Sequence, residues 1–461
     1  MAGKGAAGGD GAHLSAGGGL VNAGVIVAGE GGGGGSVGDF GVKRGGAGAA
    51  GGAGVRLTAG GDILNTGTIR GGQGGAGSYD YYNGGRGGNG GAGIVLSAGG
   101  TVDNRGLIEG GAGGAGGQGR HHRYGRGGAA GVGIFAGPGA AATVTNAGTI
   151  VGAVNSVVFA QAGDILIADA GAQFVGAIVG GGGTFVLAGG TGAVSGLGGA
   201  GQVSGTDSAT FSGFGSYGIG AGGHWSLTGT NVLAAGQSLT VDGVLTVDGS
   251  LSEAAGAAIA IDPGGVLRFQ APGQTLAGSI VNNGLLAVQG TSLTVTGSVS
   301  GFGQAAIDDG TLGFTSFFSE NVAFAGRSGV LQLAQSRNYF GTIFGFAAGG
   351  GDALDLRDIA FTSAGEATFS GSSSGGFLTI DDGTHSARIR LAGDYVGDTF
   401  VAASDGAGGV IVTAMAAGPP ALHAFVAAMA GLGAAGAIHP VPADLHAQGR
   451  PTVFAPRGAP A

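Results

Sequence analysis

The chain has 461 residues, of which 117 are glycine and 10 are proline, a fraction close to the level at which disorder is the usual interpretation. Hydrophobic residues nevertheless make up 43% and charged residues only 10%, which is the opposite of a disordered composition and favours a folded chain. The formal net charge of −9 argues against a nucleic-acid partner, and the absence of cysteine excludes disulfides and cysteine-bound metals.

The N-terminal residues carry no recognisable targeting segment. Residues 1–10 contain one lysine, Lys4, and no apolar run, so no secretory signal peptide is visible. The first repeat begins by Leu14, which leaves no room for the terminal cap that solenoids generally have. We therefore expect either a natural chain that begins earlier or an export signal elsewhere. No stretch reaches the roughly 18 consecutive apolar residues of a membrane span, so no transmembrane segment is predicted.

One seven-residue phrase gives residues 1–152 their repeat. The phrase begins with aliphatic residues, which are followed by an asparagine, any residue and a glycine. It ends with a pair of residues of which the second is aliphatic, as in residues 20–26. Repetition at intervals of 43, 39 and 42 residues predicts stacked solenoid coils, a scaffold that favours structural or adhesive roles over catalysis. The repeated asparagines, with a fifth copy far downstream, are Asn22, Asn65, Asn104, Asn146 and Asn282.

Each repeat also has a strand-like lead and a glycine tract. Residues 13–15, 55–58 and 94–97 have the alternation of a β-strand, and nothing repeats at the helical period. The asparagine could adopt a left-handed turn conformation, or stack with its equivalents in a hydrogen-bonded ladder. The glycine two positions later would supply a positive φ or a close approach between coils. The tracts are predicted to be tightly packed extra strands or surface loops.

Three further segments differ in composition. Residues 153–310 keep the strand-and-turn pattern with fewer glycine tracts. Residues 311–414 are richer in Phe and Asp and are predicted to form variant or capping coils. Residues 415–461 are rich in Ala and Pro, and there we predict one short helix at 422–430 and disorder after His439.

Two aromatic and basic segments interrupt the glycine tracts at corresponding places in successive repeats. We predict that they protrude as loops on one side of the solenoid, and loops positioned by a rigid scaffold often carry function. Exposed Tyr and Arg are good binding anchors, able to stack on sugar rings or pair with anions. The alternative is a surface insertion without a ligand. The candidate ligand contacts are Tyr79, Tyr81, Tyr82, His121, His122, Arg123 and Tyr124.

Acidic residues suggest two further sites, both weaker. Asp352, Asp355 and Asp358 follow three glycines, as in a single degenerate haemolysin-type Ca²⁺ repeat. Such repeats need consecutive copies, so solvated turn residues are the favoured interpretation, and no cofactor is predicted beyond Ca²⁺ at Asp352 and Asp355. The acidic pairs 308–309 and 381–382 each adjoin a glycine, as turn residues do. No cluster of carboxylates suited to glycoside chemistry is apparent, so no catalytic residue is predicted.

The order of these motifs resembles a known group. The Asn-x-Gly-x-Ile repeats come first, strand repeats such as 174–178 follow, and a Phe- and Asp-rich module that includes 340–346 comes last. Over residues 13–414 this order resembles autotransporter passengers and filamentous-haemagglutinin-like large exoproteins of Gram-negative bacteria. The resemblance implies a right-handed parallel β-helix at or released from the cell surface, often an adhesin. Autotransporters also carry a C-terminal outer-membrane barrel, whereas no series of ~10-residue alternating strands follows residue 414.

The sequence therefore predicts an all-β chain, a right-handed parallel β-helix (β-solenoid) with glycine-rich loops. We expect a secreted or cell-surface, non-catalytic, adhesin-like scaffold that attaches to host or bacterial cells, to polysaccharide or to itself, without nucleic-acid partners. Two alternatives remain open. One is a structural component of a matrix, biofilm or surface layer without a discrete ligand. The other is a polysaccharide-active enzyme on the same scaffold, which would need two or more carboxylates on one face.

Overall fold

A computed structural model describes residues 2–36, 44–119, 123–349 and 351–416. Within these residues the chain forms β-strands and one short 3₁₀ turn at Ser336–Asn338, so the all-β prediction is confirmed. No helix among the described residues is long and apolar enough to cross a bilayer. The helix and disorder predicted for the C-terminal tail fall outside the described residues.

The first twelve strands form the coils that contain the asparagine phrase, and each coil contributes three strands. The predicted leads are the first strand of each coil, and the phrase supplies the other two. The strands are β1 (Ala12–Leu14), β2 (Gly19–Asn22), β3 (Val25–Val27), β4 (Val55–Leu57), β5 (Asp62–Asn65), β6 (Thr68–Arg70), β7 (Ile94–Leu96), β8 (Gly100–Asn104), β9 (Leu107–Glu109), β10 (Ile134–Ala136), β11 (Ala142–Asn146) and β12 (Thr149–Val158).

The middle strands continue the coils with shorter turns. One antiparallel meander, β16–β17–β18, interrupts them. The strands are β13 (Ile165–Ala168), β14 (Gln173–Val179), β15 (Thr184–Leu187), β16 (Thr191–Ser195), β17 (Gly201–Gly205), β18 (Ser208–Ser212), β19 (Ser216–Ile219), β20 (His224–Leu227), β21 (Thr230–Leu233), β22 (Ser238–Val241), β23 (Val244–Val247), β24 (Ser250–Glu253), β25 (Ala258–Ile261), β26 (Val266–Phe269), β27 (Gln274–Leu276), β28 (Ser279–Asn282), β29 (Leu285–Gln289), β30 (Ser292–Val295), β31 (Val299–Ser300), β32 (Gln304–Asp308) and β33 (Gly310–Phe314).

The last strands change from parallel to antiparallel pairing. The parallel coils continue through β37, and then β38–β39–β40 form an antiparallel meander while β42 pairs antiparallel with both β37 and β41. The strands are β34 (Asn321–Phe324), β35 (Gly329–Leu333), β36 (Thr342–Phe344), β37 (Ala353–Leu356), β38 (Ala367–Ser372), β39 (Gly375–Asp381), β40 (Ser386–Ala392), β41 (Thr399–Ser404) and β42 (Val410–Met415).

Parallel pairing between successive coils builds long sheets. The consecutive strands β22, β23 and β24 belong to three different sheets, of 11, 22 and 2 strands, and the next coil repeats this order with β25 and β26. A further sheet of 7 strands continues the third side. Because each strand pairs with its equivalent one coil further on, the described residues have the parallel, solenoid-like arrangement that was predicted. The right-handed sense of the coils stays a prediction.

Alternating side chains point into the space between the sheets. In β22, Leu239 and Val241 are fully buried while Ser238 and Thr240 are partly exposed. The same pattern places Ile69, Ile108 and Ile150 in one fully buried stack. The aliphatic residues of the phrase therefore form the core, and their burial is the main force that holds successive coils together.

The repeated asparagines form a buried ladder between coils. The side-chain N–H of Asn22 donates to the side-chain oxygen of Asn65 over 2.8 Å. In the same way Asn65 donates to Asn104, and Asn104 donates to Asn146, each over 2.8 Å. None of them has a positive φ, so the ladder, and not a left-handed turn, explains the conserved spacing within this chain. Ala168 occupies the next register position, and there the ladder ends.

From the second copy of the phrase onwards, its glycine permits close approach to the preceding coil. Gly67 and Gly106 have no positive φ, and a Cβ on either would fall closer than 3.0 Å to a backbone oxygen of the preceding coil. Of the two explanations predicted for this glycine, close approach is therefore the one observed. The positive φ values belong instead to the Gly-Gly turns that precede the phrase, such as Gly60 at 77° and Gly61 at 128°.

The fifth asparagine belongs to a different arrangement. Asn282 pairs in register with Ile261, so it has no asparagine to continue a ladder, and its amide donates to the Glu320 carboxyl over 2.6 Å. Burial raises the pKa of Glu320 to about 7, although the Asn282 bond opposes that rise. Burial likewise raises the pKa of Glu253 to about 7, although Glu253 accepts a bond from the Gly278 N–H over 3.1 Å.

Candidate functional site

The glycine tracts are hairpins that leave the coils at one corner. After β3, β6 and β9 the chain runs out in an outgoing arm, and a returning arm leads back to β4, β7 and β10. The next coil has no such hairpin, and there β12 alone pairs with both β9 and β10. The outgoing arms are residues 28–36, 71–78 and 110–119, the returning arms are 44–54, 84–93 and 124–133, and residues 2–11 form a first arm beside them.

Hydrogen bonds between arms repeat every three residues. Gly74 and Gly77 donate backbone N–H groups to the third outgoing arm, while Gly72 and Gly75 donate to the first returning arm, all over 2.8–2.9 Å. Three residues per turn in an extended chain is the period of a polyproline II helix. The arms therefore form two bonded layers of such helices. The outgoing layer contains the outgoing arms, and the returning layer contains the first arm and the returning arms. This differs from both structures predicted for the tracts, because they are neither β-strands nor free surface loops.

Close packing is the reason that the arms need glycine. No described glycine of the arms has a φ between +20° and +160°. A Cβ on Gly88 would fall closer than 3.0 Å to the carbonyl oxygen of Ala49 on the neighbouring arm. Gly127 lies in the last returning arm, and there the nearest atom to such a Cβ is 3.4 Å away. Alanine stands one triplet further along that arm, at Ala130, where the restriction is relaxed.

The tips of the second and third hairpins lie against each other. The Gly84 N–H donates to the Arg123 carbonyl oxygen over 3.0 Å. A Cβ on Gly119 would be 3.0 Å from the carbonyl oxygen of Tyr82, so the two loops are in contact. Asp80 closes the second tip, because its carboxylate accepts the Tyr82 N–H over 3.2 Å. The described residues of the two predicted loops therefore lie together at the end of a bonded scaffold.

Every exposed tyrosine in the chain lies at these tips. Tyr79, Tyr81 and Tyr82 are 56%, 49% and 53% exposed, and Tyr124 is 60% exposed. The rings of Tyr81 and Tyr82 meet edge to face with centroids 5.1 Å apart. The other three tyrosines, which are Tyr217, Tyr339 and Tyr395, are buried. His121 and His122, two of the predicted contacts, lie outside the described residues.

The sequence analysis missed a set of cations that the arms bring together. Five exposed cations stand at the third position of a triplet, after the positions whose N–H groups donate to neighbouring arms, and they are Lys4, Arg44, Arg86, Arg123 and Arg126. We call the surface that these five residues form the basic face. Only a period of three residues aligns the cations of the basic face, so neither the strand period nor the helix period predicts this face.

The predicted calcium ligands do not converge. Asp352 and Asp355 are 1% and 5% exposed, so the prediction of solvated turn residues is wrong for both. Asp352 accepts the Ala347 N–H over 2.8 Å, and Asp355 accepts the side-chain amide of Gln332 over 2.6 Å. The described residues contain no group of three or more His, Cys, Asp or Glu side chains able to hold a metal ion.

The second residue of each acidic pair serves as a turn residue, whereas Asp308 and Asp381 are the last residues of strands β32 and β39. Asp309 has a φ of 52° and accepts the N–H groups of Arg327 and Ser328 over 2.6 and 2.8 Å. Asp382 accepts the N–H groups of Thr384 and His385 over 2.7 and 2.6 Å. These backbone bonds hold the pKa of both carboxyls below the ordinary value. A carboxylate stabilised in its charged form in this way is poorly suited to donate a proton.

Comparison with known proteins adds no identity. No family model matches this sequence, and no curated protein matches it. The resemblance to exoproteins and autotransporter passengers therefore stays a prediction.

Proposed function

We propose that the chain is a non-catalytic, adhesin-like scaffold of the cell surface or the extracellular space, built on a right-handed parallel β-helix. In this proposal the coils carry the two layers of glycine arms, and the hairpin tips make the contacts with cells or polysaccharide. The proposal rests mainly on one observation. All four exposed tyrosines lie at or beside adjacent hairpin tips, while the other three tyrosines are buried.

The construction of the arms supports this proposal. Each arm is bonded to its neighbours at two of every three residues, so the tips are held before any partner arrives. Binding by an ordered surface avoids the entropy cost of ordering a flexible loop. Tyrosine adds a large, rigid contact surface with a polar end, which suits attachment to sugars or proteins.

Two alternatives make different demands. A matrix or surface-layer component without a discrete ligand would use the same arms as spacers, and its assembly would not depend on the tip tyrosines. A polysaccharide-active enzyme would need paired carboxylates on one face. Against the enzyme, the carboxylates of Asp309 and Asp382 already accept backbone N–H groups, Asp309 from residues 327 and 328 and Asp382 from its own turn.

Attachment of producing cells tests the proposal. The triple variant Tyr81→Ser, Tyr82→Ser, Tyr124→Ser should lower attachment at least about tenfold, because exposed aromatic anchors contribute roughly 2 kcal/mol or more each at binding hot spots. The matched control is Phe302→Ser with Phe340→Ser, since these aromatic side chains are 99% and 78% exposed but lie on the coils.

Both variants should keep the urea midpoint of the wild type and should bind antibody on intact cells. Unchanged attachment by a folded, surface-exposed triple variant would contradict the proposal and favour the matrix component. Absence of antibody binding on intact cells, with strong binding after lysis, would contradict the surface location.

A further inference from the structure

The basic face is continuous across neighbouring arms. The Gly87 N–H donates to the Arg126 carbonyl oxygen over 2.9 Å, which places Arg86 beside Arg126 on adjacent arms. One turn closer to the tips, the Gly84 N–H donates to the Arg123 carbonyl oxygen over 3.0 Å. The cations therefore occupy successive rows, and the row of Arg123 adjoins the exposed tyrosines.

The cations of this face form no ion pairs with acids in the part of the chain that the structure describes. The acid of the returning layer, Asp10, lies at the coil end and pairs with Arg56 over 2.7 Å. The other third positions of the returning layer are neutral, and they are Ala7, Ala47, Ala50, Ala53, Asn83, Asn89, Ala92, Ala129 and Val132.

The opposite layer carries no comparable charge. Its third positions include Glu30, Gln73, Ala76, Ala112 and Ala115, none of which is a cation. The positive charge is therefore one-sided and concentrated towards the tips. It also stands out against the remainder of the chain, because residues 132–461 hold eight Lys and Arg against twenty Asp and Glu.

We infer that the basic face binds a linear anionic polysaccharide, which lies across the returning arms and reaches the tip tyrosines. Guanidinium groups pair with carboxylates through two parallel hydrogen bonds, and aromatic rings pack on the apolar faces of sugar rings. This inference rests on the proposed attachment function and names the chemical class of its ligand.

The spacing of the charges favours a polysaccharide over a nucleic acid. Rows of cations on one arm are three residues apart, which is about 9 Å at the ~3.1 Å rise of a polyproline II helix. Each strand of duplex DNA carries one phosphate per ~3.4 Å of helix axis, so these rows could pair only a small share of the phosphates. Duplex DNA is a dense polyanion, and the acidic remainder of the chain would repel it.

Binding of the purified full chain to polygalacturonate tests the inference. The double variant Arg86→Ser, Arg126→Ser should bind about tenfold more weakly than the wild type, because two exposed ion pairs are lost. The control Arg327→Ser, Arg390→Ser removes the same charge from exposed sites outside the arms and should bind as the wild type does. Neutral dextran should not bind, and added salt should weaken binding to polygalacturonate.

Equal polygalacturonate binding by the double variant and the control would overturn the inference, as would tighter binding to duplex DNA than to polygalacturonate. The outcomes separate this inference from the proposed function. If the tip tyrosine variant loses cell attachment while the arginine variant binds polygalacturonate normally, only the basic face is refuted. If the arginine variant loses polygalacturonate binding while the tyrosine variant attaches normally, the attachment function of the tips fails instead.

Discussion

Replacing Gly88 with alanine should test the packing of the glycine arms. Gly88 lies in the middle of the second returning arm, donates its N–H to the Gly75 carbonyl oxygen and accepts the N–H of Gly114, both over 2.8 Å. A Cβ at this position would fall closer than 3.0 Å to the Ala49 carbonyl oxygen. The obstructing atom is backbone, so it cannot rotate away, and the arms must separate.

The expected cost follows from two contributions. Overpacking a close-packed site destabilises by roughly 1–3 kcal/mol. The two hydrogen bonds that Gly88 makes would lengthen, at about 1 kcal/mol each. We therefore expect Gly88→Ala to lower the free energy of unfolding of the arm region by about 3–5 kcal/mol, with the loss visible as faster amide hydrogen exchange in residues 71–93 and an earlier urea transition.

Gly127→Ala is the matched control in the same layer. Its φ lies outside the positive region and its new Cβ would have 3.4 Å of clearance, so it should be neutral or stabilise by ~0.4–1 kcal/mol through the unfolded chain. If the two alanine variants showed the same exchange rates and the same urea midpoint, the account of the arms as close-packed polyproline II helices would be refuted.

Two further predictions concern the coils. Asn104→Ala should lower the free energy of unfolding in urea by about 2–4 kcal/mol, because it breaks the ladder bonds to Asn65 and Asn146; an unchanged midpoint would show that the ladder contributes nothing. Burial raises the pKa of Glu253 and of Glu320 from 4.5 to about 7. Between pH 4.5 and pH 7 the folded chain therefore binds more protons than the unfolded chain. The free energy of unfolding should fall as the pH rises through this range, by up to about 3 kcal/mol for each glutamate. Glu253→Gln should therefore match the wild type at pH 4 and exceed it at pH 8, and equal urea midpoints at pH 8 would contradict this.

Much of the coil structure follows from local sequence. The alternation at 55–58 and 94–97 predicts strands that the structure contains as β4 and β7, and the position of Ile108 in the phrase predicts its burial. These features depend only on the side-chain period of a strand, which any chain with one buried face must obey. The protrusion of the Tyr79–Tyr82 segment is likewise predictable, because polar insertions in a repeat have nowhere to go but outward.

The structure of the glycine tracts could not be predicted in the same way. A glycine has no side chain to bury, so its period does not appear in hydrophobicity, and the Gly-Gly-x pattern is compatible with loops, strands or disorder. The choice depends on carbonyl oxygens of neighbouring arms, such as that of Ala49 opposite Gly88, which are far away in sequence. The burial of Asp355 has the same origin, because its partner Gln332 lies 23 residues earlier, on the neighbouring strand β35.

The sequence by itself therefore determined the β-strands, their inward-facing residues and the repeat that stacks them, because these depend on periods that each coil carries within itself. Only the tertiary structure decided which face of the glycine arms carries Arg86 and Arg126 side by side and which tyrosines are exposed together. Those arrangements arise from hydrogen bonds between arms about 40 residues apart in the chain, and a bond between distant segments becomes predictable only once the register of the coils is known.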